Sequence, residues 1–188
     1  TQAFSEKVES TYIADGHHRA ASAAKVRITA AGDTEGANYF LTTLFPASQL
    51  RILDYNRVVK DLNGLNAATF LQRIAESFAI EISDSAVAPQ QLHDFGMYTG
   101  GSWYKLTAKP GTYTGDPVGV LDVTILQNNL LDPILGIKDQ RTDKRIDFVG
   151  GIRGLTELEK RVNSGEMQVA FSLYPVSIQQ LFDIADSG

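Results

Sequence analysis

Apolar residues recur every three or four positions over Asn66–Phe78, at Ala67, Phe70, Leu71, Ile74, Ala75 and Phe78. That spacing predicts an amphipathic helix with Asn66 as its N-cap. Similar spacing predicts a helix over 154–163, with Leu155, Leu158 and Val162 inward and Gly165 at its end. Another runs over 121–131, with Asp122 in its first turn and Asp132-Pro133 ending or kinking it, and a last helix is capped by Ser177. Strand patterns fall at 11–14, Asn38–Phe45 (long enough for a central strand, ended by Pro46), the apolar positions around Asp54–Arg57, Ile80–Ser83, Arg145–Val149 and Met167–Tyr174. Met97–Ala108 reads as a hairpin turning at Gly100-Gly101. Residues 31–37 form a small polar loop, and 84–94 fits no single pattern, although Gln90–Phe95 suits one helical turn. Pro110–Gly119, with its glycines and prolines, breaks the chain and marks an expected sub-division. Strands and helices interleave with at least one hairpin, so the expected fold class is α+β (mixed α/β), a mixed sheet with helices packed on it.

Composition narrows the class. At 188 residues, 43% hydrophobic and 21% charged, the chain suits one soluble domain with an adequate core. It starts at Thr1 and is expected to enter a strand within about ten residues, which suggests a fragment of a longer protein. It contains no cysteine, which excludes disulfides, thiol nucleophiles and thiolate metal sites in this segment. No apolar run approaches the ~18 residues that span a bilayer and no signal peptide opens the chain, so a cytoplasmic protein is expected. A net charge of -5 argues against nonspecific nucleic-acid binding, although a local basic patch is compatible with it; the small-molecule or nucleotide ligand expected here follows from the turn and the resemblance described below.

The chemistry concentrates at Tyr12-Ile13-Ala14-Asp15-Gly16-His17-His18-Arg19, read as a strand and tight turn opening a helix from His18 to about Lys25. A helix N-terminus exposes free N–H groups and favours an anion, most often phosphate. Gly16 permits close approach, Arg19 offers a planar fork for two oxygens, and His17 or His18 can donate to phosphate or move a proton. Asp15 can orient a histidine, bind Mg²⁺ or accept a hydroxyl proton. Asp15, His17 and His18 are the catalytic candidates; Gly16, His18 and Arg19 are the phosphate-binding ones. A purely structural turn, with Asp15 capping the helix and Arg19 in a salt bridge, is equally compatible. Adjacent histidines make a poor metal pair, so no metal site is expected.

A second cluster, Asp54-Tyr55-Asn56-Arg57, is polar within an apolar strand. Alternation places Asp54 and Asn56 on one face and Tyr55 and Arg57 on the other. Such residues line a cleft or form a solvated strand end. Lys138–Arg145 carries mixed charges suited to a solvated face, with a substrate-binding loop as the sharper reading. His93 beside Asp94 can form a proton relay, and Trp103-Tyr104 can stack on a base, although core packing suits them better. Asp122 and Asp132 need not meet. No Walker A, nucleophile-elbow, zincin or dinucleotide-binding motif occurs.

The run Ile13-Ala14-Asp15-Gly16-His17-His18-Arg19-Ala20-Ala21-Ser22-Ala23 resembles the Asp-Gly-x-His-Arg signature of the ParB/sulfiredoxin superfamily, whose strand–turn–helix binds nucleotide phosphates. With Ile-Leu-Asp-Tyr-Asn-Arg-Val-Val, Leu-Asp-Val-Thr-Ile-Leu and Asp-Pro-Ile-Leu-Gly-Ile, it also resembles a bacterial family, domain of unknown function 1015. The missing cysteine excludes sulfinic acid reduction. The resemblance implies a nucleotide- or phosphate-binding domain of a small-molecule phosphotransferase like the free-serine kinases, using ADP or ATP with Mg²⁺. It makes Asp54, Asn56 and Arg57 further ligand residues, with Arg57 a second phosphate contact. In those kinases the glutamate proposed as base lies upstream of the motif, so a fragment beginning at Thr1 is expected to lack the base. A non-enzymatic ParB-like nucleotide switch or DNA-associated module, and a structural scaffold, are the alternatives.

Overall fold

The computed structural model describes residues 2–30 and 35–187 and divides the chain into two compact units, residues 1–50 and 51–188. In the first unit, α1 (Gln2–Lys7) precedes α2 (His17–Thr29), and short 3₁₀ turns occupy Glu35–Asn38 and Ala47–Gln49. The turn at Asp15-Gly16 and its helix are present, and the helix runs longer than expected on its alanine content. The strands expected at 11–14 and Asn38–Phe45 do not form: 11–13 and 39–45 are irregular. A strand needs a neighbour to take its backbone N–H and C=O groups, and strand propensity alone does not supply one. Leu41, 93% exposed, packs on nothing that would select a face. Residues 31–34 of the expected polar loop lie outside the described residues.

The second unit is built on β1 (Tyr55–Val59), α3 (Ala67–Ser77), β2 (Phe78–Ser83), β3 (Asp94–Thr99), β4 (Ser102–Ala108), α4 (Asp122–Leu126), β5 (Ile146–Gly150), α5 (Gly154–Asn163), β6 (Val169–Leu173) and α6 (Ile178–Asp186). The strands form one sheet in the order β2-β4-β3-β6-β1-β5. Every pairing is antiparallel, which corrects the expected mixed sheet. No helix returns the chain to a parallel neighbour, so crossover geometry never arises. The class is α+β, with helices on both faces.

Local signals explain most of these elements. The Asn66 side chain accepts the Thr69 N–H at 2.9 Å and starts α3, which buries Phe70 and Ile74. Gly100 and Gly101 both take positive φ, as a tight antiparallel hairpin demands, and join β3 to β4. The chain around Gln90–Phe95 bends directly into β3 rather than making a helical turn. Ser177 and Gln180 form a reciprocal capping box at α6.

Alternation along β1 divides two cores. Val59 joins Phe70, Ile74, Phe95, Met97, Leu106, Leu130 and Phe171 beneath α3 and α4. Val58 joins Tyr98, Trp103, Val149, Leu158 and Ala170 beneath α5. Trp103 is a core residue whose Nε1–H donates to Glu159 Oε1 at 2.7 Å. The helix expected over 121–131 changes pitch halfway. After α4 the chain makes one π-helical turn, Gln127–Leu131, closed by the Asp132 N–H on Gln127 O at 3.0 Å. The extra residue per turn lets Leu130 and Leu131 stay in the core while Gln127 faces away from it. No helix among the described residues is long and apolar enough to cross a membrane.

Candidate functional site

Arg57 stands on the α3/α4 side of β1, where the apolar layer ends. It shares that side with Tyr55 and Val59 and lies opposite Phe148 in the ladder to β5. The Tyr55 and Phe148 rings are a diagonal pair and stack in parallel, with centroids 5.1 Å apart. The guanidinium carbon of Arg57 lies 5.3 Å from the centre of the Phe148 ring and 5.9 Å from that of Tyr55.

Arg57 is only 7% exposed, and no carboxylate among the described residues pairs with it. Its Nη1 donates to Tyr55 O, and its Nε donates to Gln140 Oε1 at 3.2 Å. Gln140 Nε2 in turn donates to Gln127 Oε1 at 2.7 Å, and Gln127 Nε2 donates to Ile137 O at 2.8 Å. This relay fixes the guanidinium plane with neutral groups only. Burial pushes the Arg57 pKa down to about 10, with Tyr55 pulling it weakly upward. The group remains a cation at neutral pH, with no counter-charge paired to it among the described residues.

Beside it opens a pocket of about 390 Å³, lined by Tyr55, Arg57, Val123, Thr124, Gln127, Gln140, Arg141 and Phe148. It is a shallow recess, wide open to solvent, whose exposed lining surface is mostly apolar, with polar tips from Arg57, Gln127, Gln140 and Arg141. Arg141 lies at the rim in a two-pronged ion pair with Asp139, whose carboxyl it holds below the usual carboxylate range. The Lys138–Arg145 run therefore has two roles. Gln140 and Arg141 face the pocket, while Arg145 ties the turn together through Asp143, Leu135 O and Gly136 O.

Asp54 and Asn56 share the other face, as alternation predicts, and there their role is structural. The Asn56 side chain, fully buried, donates to Asp54 Oδ2 at 2.7 Å and accepts the Leu173 N–H at 3.0 Å. The β1–β6 ladder covers Arg57 to Val59 only, so the Asn56 amide takes over where backbone pairing stops. Asp54 O accepts the Gly151 N–H at 2.8 Å, and a Cβ at position 151 would lie 1.9 Å from Asp54 Oδ1. Neither residue lines the pocket.

In the first unit, Gly16 caps α2 with φ +87° and, as a glycine, supplies no side-chain cap. Asp15, Gly16, His17, His18 and Arg19 line a surface recess of about 480 Å³. Arg19 folds back over Gly16 and pairs with Asp15 at 3.2 Å, with the two side chains 74% and 93% exposed. An exposed pair of this kind contributes ~0–1 kcal/mol. Among the described residues no group of three His, Cys, Asp or Glu has the geometry to hold a metal ion.

Sequence reasoning reached Arg57 and its Tyr55 neighbour but missed Gln127, Val123, Thr124 and Phe148. Strand register brings Phe148 to Arg57, and the π turn brings Gln127; neither leaves a local signature.

No curated protein and no solved structure matches the chain. Residues 1–124, which include the Asp15–Arg19 turn and Arg57 and end inside α4, match the family described as protein of unknown function (DUF1015). The chain belongs to that family.

Proposed function

We propose that this chain is the nucleotide- or phosphate-binding part of a small-molecule phosphotransferase, and that Arg57 holds a phosphate group of the ligand. The observation that carries the reading is a buried guanidinium, oriented by a glutamine relay and lacking a carboxylate, beside an open pocket. A buried cation without a partner is costly, and a bound anion offsets that cost. The stacked Tyr55 and Phe148 rings beside it suit a flat ligand group, such as a base.

The transferase half rests on the ParB/sulfiredoxin-like Asp15–Arg19 turn. Its uncapped N–H groups and Arg19 supply the charge neutralisation that phosphoryl transfer requires. His17 and His18 stand exposed there for proton transfer. Asp15 is an exposed carboxylate of the kind Mg²⁺ uses together with phosphate oxygens.

Thermal-shift titrations with ADP, ATP, CTP, pyrophosphate and serine, with and without Mg²⁺, test the reading. Stabilisation by at least one phosphate compound is expected, with loss in Arg57→Met and weakening in Arg19→Ala. No stabilisation by any phosphate compound, or unchanged stabilisation in Arg57→Met, overturns it. Phosphoserine formation from ATP or ADP and serine tests the transferase half separately.

A further inference from the structure

Arg57 is aimed but not neutralised, and the polarity of the amides behind it explains why. Gln127 Nε2 donates to Ile137 O at 2.8 Å and to Lys138 O at 3.3 Å, two carbonyls that can only accept. That end of the relay turns Gln127 Oε1 outward, where it accepts from Gln140 Nε2 at 2.7 Å. Gln140 Oε1 is then left to meet Arg57 Nε, a group that can only donate, at 3.2 Å. Acceptors at one end and a donor at the other leave a single orientation for both amides. Arg57 Nη1 donates to Tyr55 O, while Nη2 makes no hydrogen bond among the described residues. The side-chain atoms sealed from solvent without a partner there are His93 Nε2 and Asp122 Oδ2, so Nη2 is open to solvent.

We propose that Gln140 sets the charge of the ligand this recess takes: as an amide it orients Arg57 and leaves the positive charge unspent for an oxyanion that meets Nη2. Gln127 is the positioning residue that holds Gln140 in that role. The inference rests on the reading of Arg57 as a phosphate contact and adds how the site selects for one. A group whose full negative charge is spread over several oxygens uses the unspent cation; a neutral hydroxyl of the same size gains far less from it.

Glutamate has the length of glutamine and the same acceptor. At position 140 it would close an ion pair on Arg57, and Gln127 would turn its amide to donate to the new carboxylate, giving up Ile137 O. An incoming phosphate would then have to displace one anion and approach against its repulsion. The acid next to Gln140 in the chain is already kept out of this role. Asp139 is engaged by Arg141 Nε at 3.0 Å and Nη2 at 3.1 Å, so the rim carboxylate is spent on the rim cation rather than on Arg57.

Calorimetric titration of the full chain with pyrophosphate at neutral pH, without Mg²⁺, tests the proposal on wild type, Gln140→Glu and Gln140→Met. The acid is expected to weaken binding by at least ~10-fold, and the neutral methionine, which loses the aim but not the charge, by only a few-fold. Equal losses in the two variants, or wild-type affinity in Gln140→Glu, overturn this inference and leave the phosphate reading of Arg57 standing. Wild type that does not bind pyrophosphate overturns both. Nitrogen NMR of the Arg57 Nε–H group, assigned by its absence in Arg57→Met, needs neither a ligand nor the acid variant. Gln127→Met is expected to shift that signal and speed its exchange with water, because Gln140 loses its anchor; an unchanged signal overturns the relay.

Discussion

Replacing Asn56 with alanine separates the two readings of the Asp54–Arg57 cluster. The side chain is fully buried and bridges Asp54 Oδ2 at 2.7 Å to the Leu173 N–H at 3.0 Å. Truncation strands a buried backbone donor, which costs ~1–3 kcal/mol. The bond to the Asp54 carboxylate is also lost, but Asp54 is half-buried and recovers water in part, so this adds ~1 kcal/mol. The sum is about 2–4 kcal/mol, which for a chain of this size lowers the melting temperature by roughly 5–15 °C. Equilibrium urea unfolding followed by circular dichroism measures it. Asn56→Asp is the informative companion. It keeps an acceptor for Leu173 but sets a second carboxylate against Asp54, so its deficit should grow as pH rises through the carboxylate range. Pyrophosphate or nucleotide binding by the folded fraction of Asn56→Ala should match wild type. A loss of stability below ~1 kcal/mol, or ligand binding abolished at unchanged stability, refutes the structural role and returns Asn56 to the ligand set.

Other substitutions probe separate parts of the molecule. Arg57→Met exchanges an uncompensated buried cation for an apolar chain of similar length, so thermal stability should hold or rise while phosphate binding disappears; a fall above ~2 kcal/mol would mean that the guanidinium mainly props the sheet. Gly96→Ala places a Cβ 2.2 Å from Ser172 Oγ and 2.4 Å from Val87 O, which breaks the hydrogen bond between them. It should cost ~1–3 kcal/mol in urea unfolding, partly relieved by a second change, Ser172→Ala. Ser177→Ala removes one half of the capping box and should cost ~1 kcal/mol, read as early loss of helical signal on heating.

What could be read from the chain divides by the range of the forces involved. The α3 cap at Asn66, the Gly100-Gly101 hairpin and the α6 cap at Ser177 are set within a few residues, and the sequence carries their signals in full. The pairing of Tyr55 with Arg57 on one face reflects the two-residue repeat of a strand. Asn38–Phe45 fails for the opposite reason. Its composition is that of a central strand, but a strand is defined by a neighbour, and none adjoins it among the described residues of its own unit. The antiparallel direction of the sheet depends likewise on which strands meet, not on what each contains. Asn56 groups with Arg57 by composition because both are polar in an apolar run; only the length of the β1–β6 ladder reveals that one replaces a missing backbone bond while the other faces a pocket.

The π turn at Gln127–Leu131 has a consequence for how such a pocket can arise and vanish. An α-helix becomes π-helical over one turn when a single residue is inserted. Deleting one residue there would restore ordinary pitch and swing Gln127 by about 100° relative to the chain beyond the turn. That would break the chain of amides steadying Arg57, while all six strands keep their register because none contains the deletion. The recess beside Arg57 is thus separable from the sheet that carries it by a single-residue deletion.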